Sequence, residues 1–344
     1  MKGILRKIII VILSYIIIFS ISKSVIAADN SIYADSYILI EKESKRILAG
    51  VRYNEKLLPA SITKILTCIV AIENGELDQY YKVEKDVVLQ SGSSIYLELG
   101  EEVKLIDLLY GMMLRSGNDA AYMISNVVCD SYNEFINLMN KKASDIGMRN
   151  SIFKNPSGLD DESENYSTAY DMAILMSYCL ENETFRKITN TDVYSFKNKE
   201  GKSRTFSNKH KLVKGYDYIT GGKTGYTKKA KRTLVTSALK DGMELIAVTF
   251  NCGDDWNVHM KLFDYGFNNY KMIKIVDEGI IEIKKLLYEV TPYLPVPVKY
   301  PLKYNEDYKV ILYLLNDPSD YIIGRAVVYI DNKKVYMQDI YRYY

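Results

Sequence analysis

Residues 65–72, Ile-Leu-Thr-Cys-Ile-Val-Ala-Ile, are the stretch that most restricts how this chain folds. As a helix the run has no polar face to offer water, so it belongs inside a domain. Directly before it stands Pro59-Ala60-Ser61-Ile62-Thr63-Lys64. If the helix begins there, Ser61 and Lys64 are i and i+3 and share one face. A serine hydroxyl is a poor nucleophile until a base takes its proton. A lysine can serve only if its pKa falls, which desolvation and a nearby positive charge both bring about. The spacing therefore predicts Ser61 as a covalent nucleophile and Lys64 as its base. A plainer alternative is a serine N-cap with a solvated lysine in the first turn. Ser-x-x-Lys also occurs at Ser20/Lys23, Ser151/Lys154 and Ser237/Lys240, but only Ser61/Lys64 opens a long apolar helix.

The 344 residues suit two domains, or one large domain with an appendage, and a 48% hydrophobic content supports a sizeable core. The net charge of +2 gives no sign of a nucleic-acid surface. Residues 1–27 read as a secretory signal. Lys2, Arg6 and Lys7 precede an apolar stretch from Ile8 to Ile21, and Val25-Ile26-Ala27 forms a small-x-small cleavage site. The stretch is short for a membrane span, though an uncleaved N-terminal anchor stays open. The chain is thus expected to be exported, to the cell wall or the outer face of the cytoplasmic membrane. Cys68, Cys129, Cys179 and Cys252 lack any C-x-x-C spacing and read as buried free thiols. The two histidines, His210 and His259, have no metal-ligand spacing, so neither a metal site nor a cofactor is expected. A Ser-His-Asp triad would have to use one of them. The 31 tyrosines are taken as a compositional bias rather than a sugar-binding surface.

Along the chain, Ser36–Val51 reads as a β-hairpin turned through Lys42-Glu43-Ser44-Lys45. Helical spacing follows the apolar run at 103–114, 120–128, 132–148 and 167–180, the last capped by Ser167 or Thr168. Asn155-Pro156-Ser157-Gly158-Leu159 is a turn, and the acidic residues 160–164 a solvated loop. Thr233–Leu239 and Glu244–Asn251 alternate around Asp241-Gly242 as a hairpin, with Val235, Leu245, Ala247 and Val248 inward. Lys223-Thr224-Gly225 then lies on or leads into a sheet edge. A closing helix spans 256–267. Beyond Tyr270 come short strand-like runs punctuated by Pro292, Pro295, Pro297 and Pro301, read as a small all-β domain. The boundaries are 1–27 for the signal, 28–269 for the catalytic domain and 270–344 for the β-rich domain.

Three polar elements stand in order: Ser61-Ile62-Thr63-Lys64, Ser116-Gly117-Asn118 and Lys223-Thr224-Gly225. Ser-x-Asn recurs at Ser131/Asn133 and Ser163/Asn165, whereas Lys-Thr-Gly occurs once. Separately the second element reads as a helix cap and the third as a turn. Together they match the signature set of penicillin-binding proteins and class A β-lactamases. In such chemistry Ser61 attacks a carbonyl while Lys64 takes the proton, its charged form disfavoured by Lys223. Ser116 relays a proton to the leaving amine, and Asn118 holds the substrate amide and Lys64. Lys223 and Thr224 offer a cation and a hydroxyl to an anionic carboxylate. Gly225 lets the substrate strand approach. Backbone N–H groups of Ser61 and Tyr226 form the oxyanion hole.

From about Ile32 to Tyr344 the chain resembles the D-alanyl-D-alanine carboxypeptidases, low-molecular-mass penicillin-binding serine peptidases. The resemblance extends to Leu58-Pro59-Ala60-Ser61, Asn155-Pro156-Ser157-Gly158-Leu159, Ser167-Thr168-Ala169-Tyr170-Asp171 and Gly222-Lys223-Thr224-Gly225-Tyr226-Thr227. It implies an α+β fold: a five-stranded antiparallel sheet flanked by helices, followed by a β-rich domain. It also implies removal of the terminal D-alanine from peptidoglycan pentapeptide through a Ser61 acyl-enzyme, with β-lactams acylating the same serine. Three departures stand out. Asn165 replaces a histidine common before Tyr-Ser-Thr-Ala, and Ala230-Lys231-Arg232 adds charge where relatives have Ala-Gly. Relatives often end in an amphipathic membrane anchor and this chain ends on a strand-like run, which leaves membrane attachment open. A β-lactamase, a peptidoglycan D,D-endopeptidase and a non-catalytic wall-binding protein are the alternative readings. The first would need a deacylating glutamate, for which no Glu-x-x-x-Asn context lies between Asn118 and Lys223.

Overall fold

The computed structural model describes residues 32–161, 163–282, 290–315 and 321–343; the leader read over residues 1–27 lies outside them. The strands are β1 (Ser36–Glu41), β2 (Ile47–Val51), β3 (Tyr80–Lys82), β4 (Glu102–Lys104), β5 (Val193–Lys197), β6 (Ser203–Ser207), β7 (Ile219–Thr227), β8 (Lys231–Lys240) and β9 (Met243–Phe250). The central sheet is antiparallel in the order β2-β1-β9-β8-β7, so the first hairpin of the chain docks on the last. Among the described residues that order leaves β7, which carries Lys223, with one strand neighbour, β8.

Both faces of this sheet are covered. Along β1, Ile38 and Ile40 point into the larger core, and Tyr37 and Leu39 into a second one beneath the helix Asp255–Asn269. Along β9 the same alternation sends Ile246 and Val248 one way, Leu245 and Ala247 the other. The four residues read as inward are therefore all buried, but on opposite faces. A strand covered on both sides loses the in/out polarity pattern, which is why the sequence did not distinguish them.

The helix Lys64–Asn74 lies in the larger core, with every residue from Lys64 to Ala71 buried. Around it pack the helices Leu105–Arg115, Asn118–Val127, Tyr132–Asp145 and Ala169–Cys179. Thr168 caps the last of these by accepting from the N–H of Asp171. Cys68, Cys179 and Cys252 are buried, Cys129 is half-buried, and all four thiols are free. Among the described residues no helix is long and apolar enough to cross a membrane.

After Asn269 the chain is all β among the described residues: β10 (Tyr270–Val276), β11 (Gly279–Ile280), β12 (Thr291–Leu294), β13 (Val298–Lys303), β14 (Tyr308–Leu314), β15 (Ile322–Ile330) and β16 (Lys333–Tyr343). β10 pairs with β13, and the other five form a sheet ordered β11-β12-β16-β15-β14. The prolines read as punctuation turn out to include two strand residues, Pro292 in β12 and Pro301 in β13. Proline is tolerated where its missing N–H faces an unpaired edge. The Pro301 carbonyl points away from β10 and accepts from Arg46, so its nitrogen faces that free side too.

Arg46 is the chief polar link between the two parts of the molecule. Its guanidinium makes two hydrogen bonds to the Glu306 carboxylate, at 2.5 and 2.8 Å, and lies over the rings of Tyr270 and Tyr300. Both charged partners are largely buried. Removing one member of such a pair strands the other charge, at a cost of about 3 kcal/mol. Arg46→Met is thus expected to lower stability by roughly that amount. Calorimetry should also separate the melting of residues 270–343 from the rest. A single transition at the wild-type temperature would contradict this.

Candidate active site

The helix does not start with a serine cap. Residues Ala60–Thr63 form one 3-10 turn, and Ser61 caps neither this turn nor the α-helix that begins at Lys64. Ala60 has φ 49°, an uncommon left-handed conformation for a residue with a β-carbon. The turn leaves the Ser61 hydroxyl free to face Lys64, whose Nζ lies 3.0 Å away.

Lys64 is fully buried, and its Nζ has two more partners: Asn118 Oδ1 at 2.8 Å and the Ser157 carbonyl at 2.6 Å. These two are obligate acceptors, while a hydroxyl can both donate and accept. A neutral amine has two hydrogens and one lone pair. Such an amine would donate to Asn118 and Ser157 and accept from the Ser61 hydroxyl, whereas the ammonium would donate to all three. Burial pushes the Lys64 pKa well below the ordinary lysine value; the charges of Lys223 and then Lys209 add to the shift, and Asp119 opposes it.

Ser116 and Asn118 reach the site because one helix ends and another starts there. The helix Leu105–Arg115 stops at Ser116, whose φ of 66° and ψ of 33° turn the chain, and the next begins at Asn118. The Asn118 side-chain amide donates to the Ser91 carbonyl at 2.7 Å, which leaves it one further hydrogen. Asp119 accepts from the Ser94 hydroxyl and the N–H groups of Ile95 and Leu97, fixing the segment that borders the site.

Lys223, Thr224, Gly225 and Tyr226 follow one another on the edge strand β7. Lys223 Nζ donates to Ser116 Oγ at 3.1 Å and to the Thr224 carbonyl at 2.8 Å. Burial, reinforced by Lys209, lowers its pKa to about 7. At Gly225 a β-carbon would sit 2.2 Å from Thr233 Oγ1 and 3.0 Å from the Ser61 nitrogen. The neighbours that approach Gly225 are therefore Thr233 and the Ser61 turn. The Tyr226 ring is exposed. Two hydrogen-bonded groups thus stand side by side: Ser61, Lys64 and Asn118 in one, Ser116, Lys223 and Thr224 in the other.

Several contributors escaped the sequence reading. Ser157 supplies a carbonyl, which no residue type announces. Asn165 donates to Thr63 Oγ1 and accepts from the N–H groups of Lys154 and Asn155, so it ties the 155–159 turn to the Ser61 turn. Thr67 helps by donating to the Pro156 carbonyl. Lys209 was one lysine among many. Asp160, read as solvated, is buried and accepts from the Thr227 hydroxyl, while Glu164 pairs with Lys229. Arg232 is bound to Asp255 and lies over Trp256, so its charge is neutralised there. The two histidines are occupied elsewhere. Both contact Thr236 Oγ1, His210 through Nε2 and His259 through Nδ1, in a buried chain. A lysine, not a histidine, holds the Ser61 hydroxyl.

A five-stranded antiparallel sheet flanked by helices, with a serine–lysine turn against its edge strand and a β-rich region following, is a penicillin-binding type of α+β fold. Within that class the chain belongs to the D-alanyl-D-alanine carboxypeptidase family, peptidase S11, whose family profile matches residues 23–253. It is 37% identical over 246 residues to the D-alanyl-D-alanine carboxypeptidase DacF of Bacillus subtilis. That match covers 69% of this chain and 63% of the relative. A D-alanyl-D-alanine carboxypeptidase structure from Mycobacterium tuberculosis superposes with a TM-score of 0.65 at 28% identity, over 68% of this chain and 91% of that one. Penicillin binding protein 5 of Haemophilus influenzae, at 23% identity, shares the fold over 91% of this chain and 97% of its own, with a TM-score of 0.77.

Gly225→Ala tests the packing of β7 on the Ser61 turn. The added methyl must displace Thr233 or Ser61, and displacements near 1 Å cost on the order of 100-fold in rate. Stopped-flow acylation by a chromogenic cephalosporin should fall by about that factor while the circular dichroism spectrum is retained. Wild-type acylation would refute the contact.

Proposed function

We propose that this protein is a serine-type D-alanyl-D-alanine carboxypeptidase that removes the terminal D-alanine of peptidoglycan pentapeptide. The observation that carries the proposal is the 3.0 Å contact between Ser61 Oγ and a fully buried Lys64 Nζ. Ser61 Oγ attacks the carbonyl of the penultimate D-alanine and its proton passes to Lys64. The N–H groups of Ser61 and Tyr226 receive the oxyanion. As the C–N bond breaks, the Ser116 hydroxyl delivers a proton to the departing amine, and D-alanine leaves. Water then cleaves the Ser61 ester and restores the hydroxyl. Lys223 and Thr224 hold the terminal carboxylate, and Asn118 uses its spare amide hydrogen on the substrate. The open side of β7 suits an extended peptide, which adds to sheet edges through main-chain hydrogen bonds. β-Lactams acylate Ser61 by the same route. The catalytic unit is residues 28–269 and the β-rich unit 270–344, and the protein acts after export, outside the cytoplasmic membrane.

The two lysines give the rate opposite pH dependences. Lys64 works deprotonated, so activity is lost as pH falls through its depressed pKa. Lys223 works charged, and with a pKa of about 7 it loses its hold on the carboxylate as pH rises beyond that. KM should accordingly climb on the alkaline side while kcat falls on the acid side. The test is D-alanine release from diacetyl-Lys-D-Ala-D-Ala, together with mass spectrometry of a penicillin adduct. Ser61→Ala should form no adduct, and Lys64→Met should lose about a thousandfold in acylation rate, as loss of a general base does. Absence of both D-alanine release and a Ser61 adduct in the wild type would refute the proposal. Wild-type acylation by Lys64→Met would remove the lysine from the role of base.

A further inference from the structure

A cleft of about 750 Å³ shares a wall with the Ser61–Lys64 pair. Ser157, whose carbonyl accepts from Lys64, and Ser91, whose carbonyl accepts from Asn118, both line it. No residue of β7 does, so the cleft opens on the side of Lys64 away from Lys223. Asp86, Lys154 and Asp161 also line it, and all three side chains are exposed. Among the described residues none of the three has an ion pair or a side-chain hydrogen bond. Glu164, next in sequence to the lining residue Ser163, by contrast pairs with Lys229. Charges of both signs without an ion partner among the described residues therefore line a cleft that adjoins Ser157 and Ser91, the carbonyl partners of Lys64 and Asn118.

We infer that this cleft is a specificity site for the side chain of the diamino-acid residue that precedes D-Ala-D-Ala in the substrate. This rests on the carboxypeptidase reading above. With the terminal carboxylate at Lys223, the acyl part of the peptide leaves Ser61 toward Asn118 and Ser157. At about 3.3 Å per residue the diamino acid lies only one step beyond the acylated D-alanine, and its long side chain reaches the cleft. Asp86 and Asp161 take the free ω-ammonium. Lys154 takes a carboxylate on the same terminal carbon, in substrates that carry one.

The test compares kcat/KM for D-alanine release from Nα-acetyl-Lys-D-Ala-D-Ala and from its Nα,Nε-diacetyl form, using the full chain. The free amine should be preferred roughly fivefold, the scale of partly solvated ion pairs. The preference should shrink as salt is added. It should vanish in the Asp86→Asn/Asp161→Asn double variant, while acylation by penicillin, which has no diamino acid, stays at the wild-type rate. A peptide ending its side chain in both amine and carboxylate should outperform the lysine peptide, and Lys154→Met should cancel that gain alone. Equal rates for the two lysine peptides, or a preference that survives the double variant, would overturn the specificity site and leave the carboxypeptidase reading standing. Release from neither peptide would overturn both.

Discussion

One buried amine organises the part of this molecule built on the central sheet. Lys64 Nζ is surrounded by an amide oxygen, a backbone carbonyl and a hydroxyl, drawn from the Asn118, Ser157 and Ser61 segments. Each segment has its own reason to be there. The apolar helix carries Lys64 into the core, the left-handed break at Ser116 delivers Asn118, and Asn165 and Thr67 hold the turn that presents Ser157. Thr233 then docks on the Pro59 carbonyl and joins the Ser61 turn to the sheet. Placing an ammonium at the start of an apolar helix is costly. Burial accordingly pushes the Lys64 pKa well below the ordinary lysine value, which favours the neutral amine that the proposed base role requires.

The electrostatics follow from crowding cations where solvent is scarce. Lys64 and Lys223 are both buried, and Lys209 adds its field to each. The backbone is strained in the same region, with positive φ at Ala60 and Ser116. Such features cost stability locally and persist only where the surroundings enforce them. Here the enforcement comes from the two cores on either side of the central sheet, the larger of which takes in Ile62 of the Ser61 turn and Ile95 beside Asp119.

Much of this was legible in the sequence, and the exceptions have physical causes. The apolar run, the closing hairpin and the order of the three polar elements carry local signals, and the structure brings Ser61, Lys64, Ser116, Asn118 and Lys223 together. Ser157 contributes through its backbone, so no side-chain pattern could reveal it. Asn165 and Lys209 act through tertiary placement. Asp160 looked solvated because an acidic run is normally a wet loop, yet Thr227 draws it inward. β12 and β13 were hidden by Pro292 and Pro301, because the free edge that accommodates Pro301 is a feature of sheet order, which sequence does not display.

The proposed base role rests on burial and neighbouring cations lowering the pKa of Lys64. Isotope-labelled lysine with Lys64 assigned by substitution allows its titration to be followed directly by NMR. A midpoint well below 10.5 is expected, moving upward when Lys223→Met removes the largest neighbouring charge. A midpoint near 10.5, or one unmoved by Lys223→Met, would contradict it.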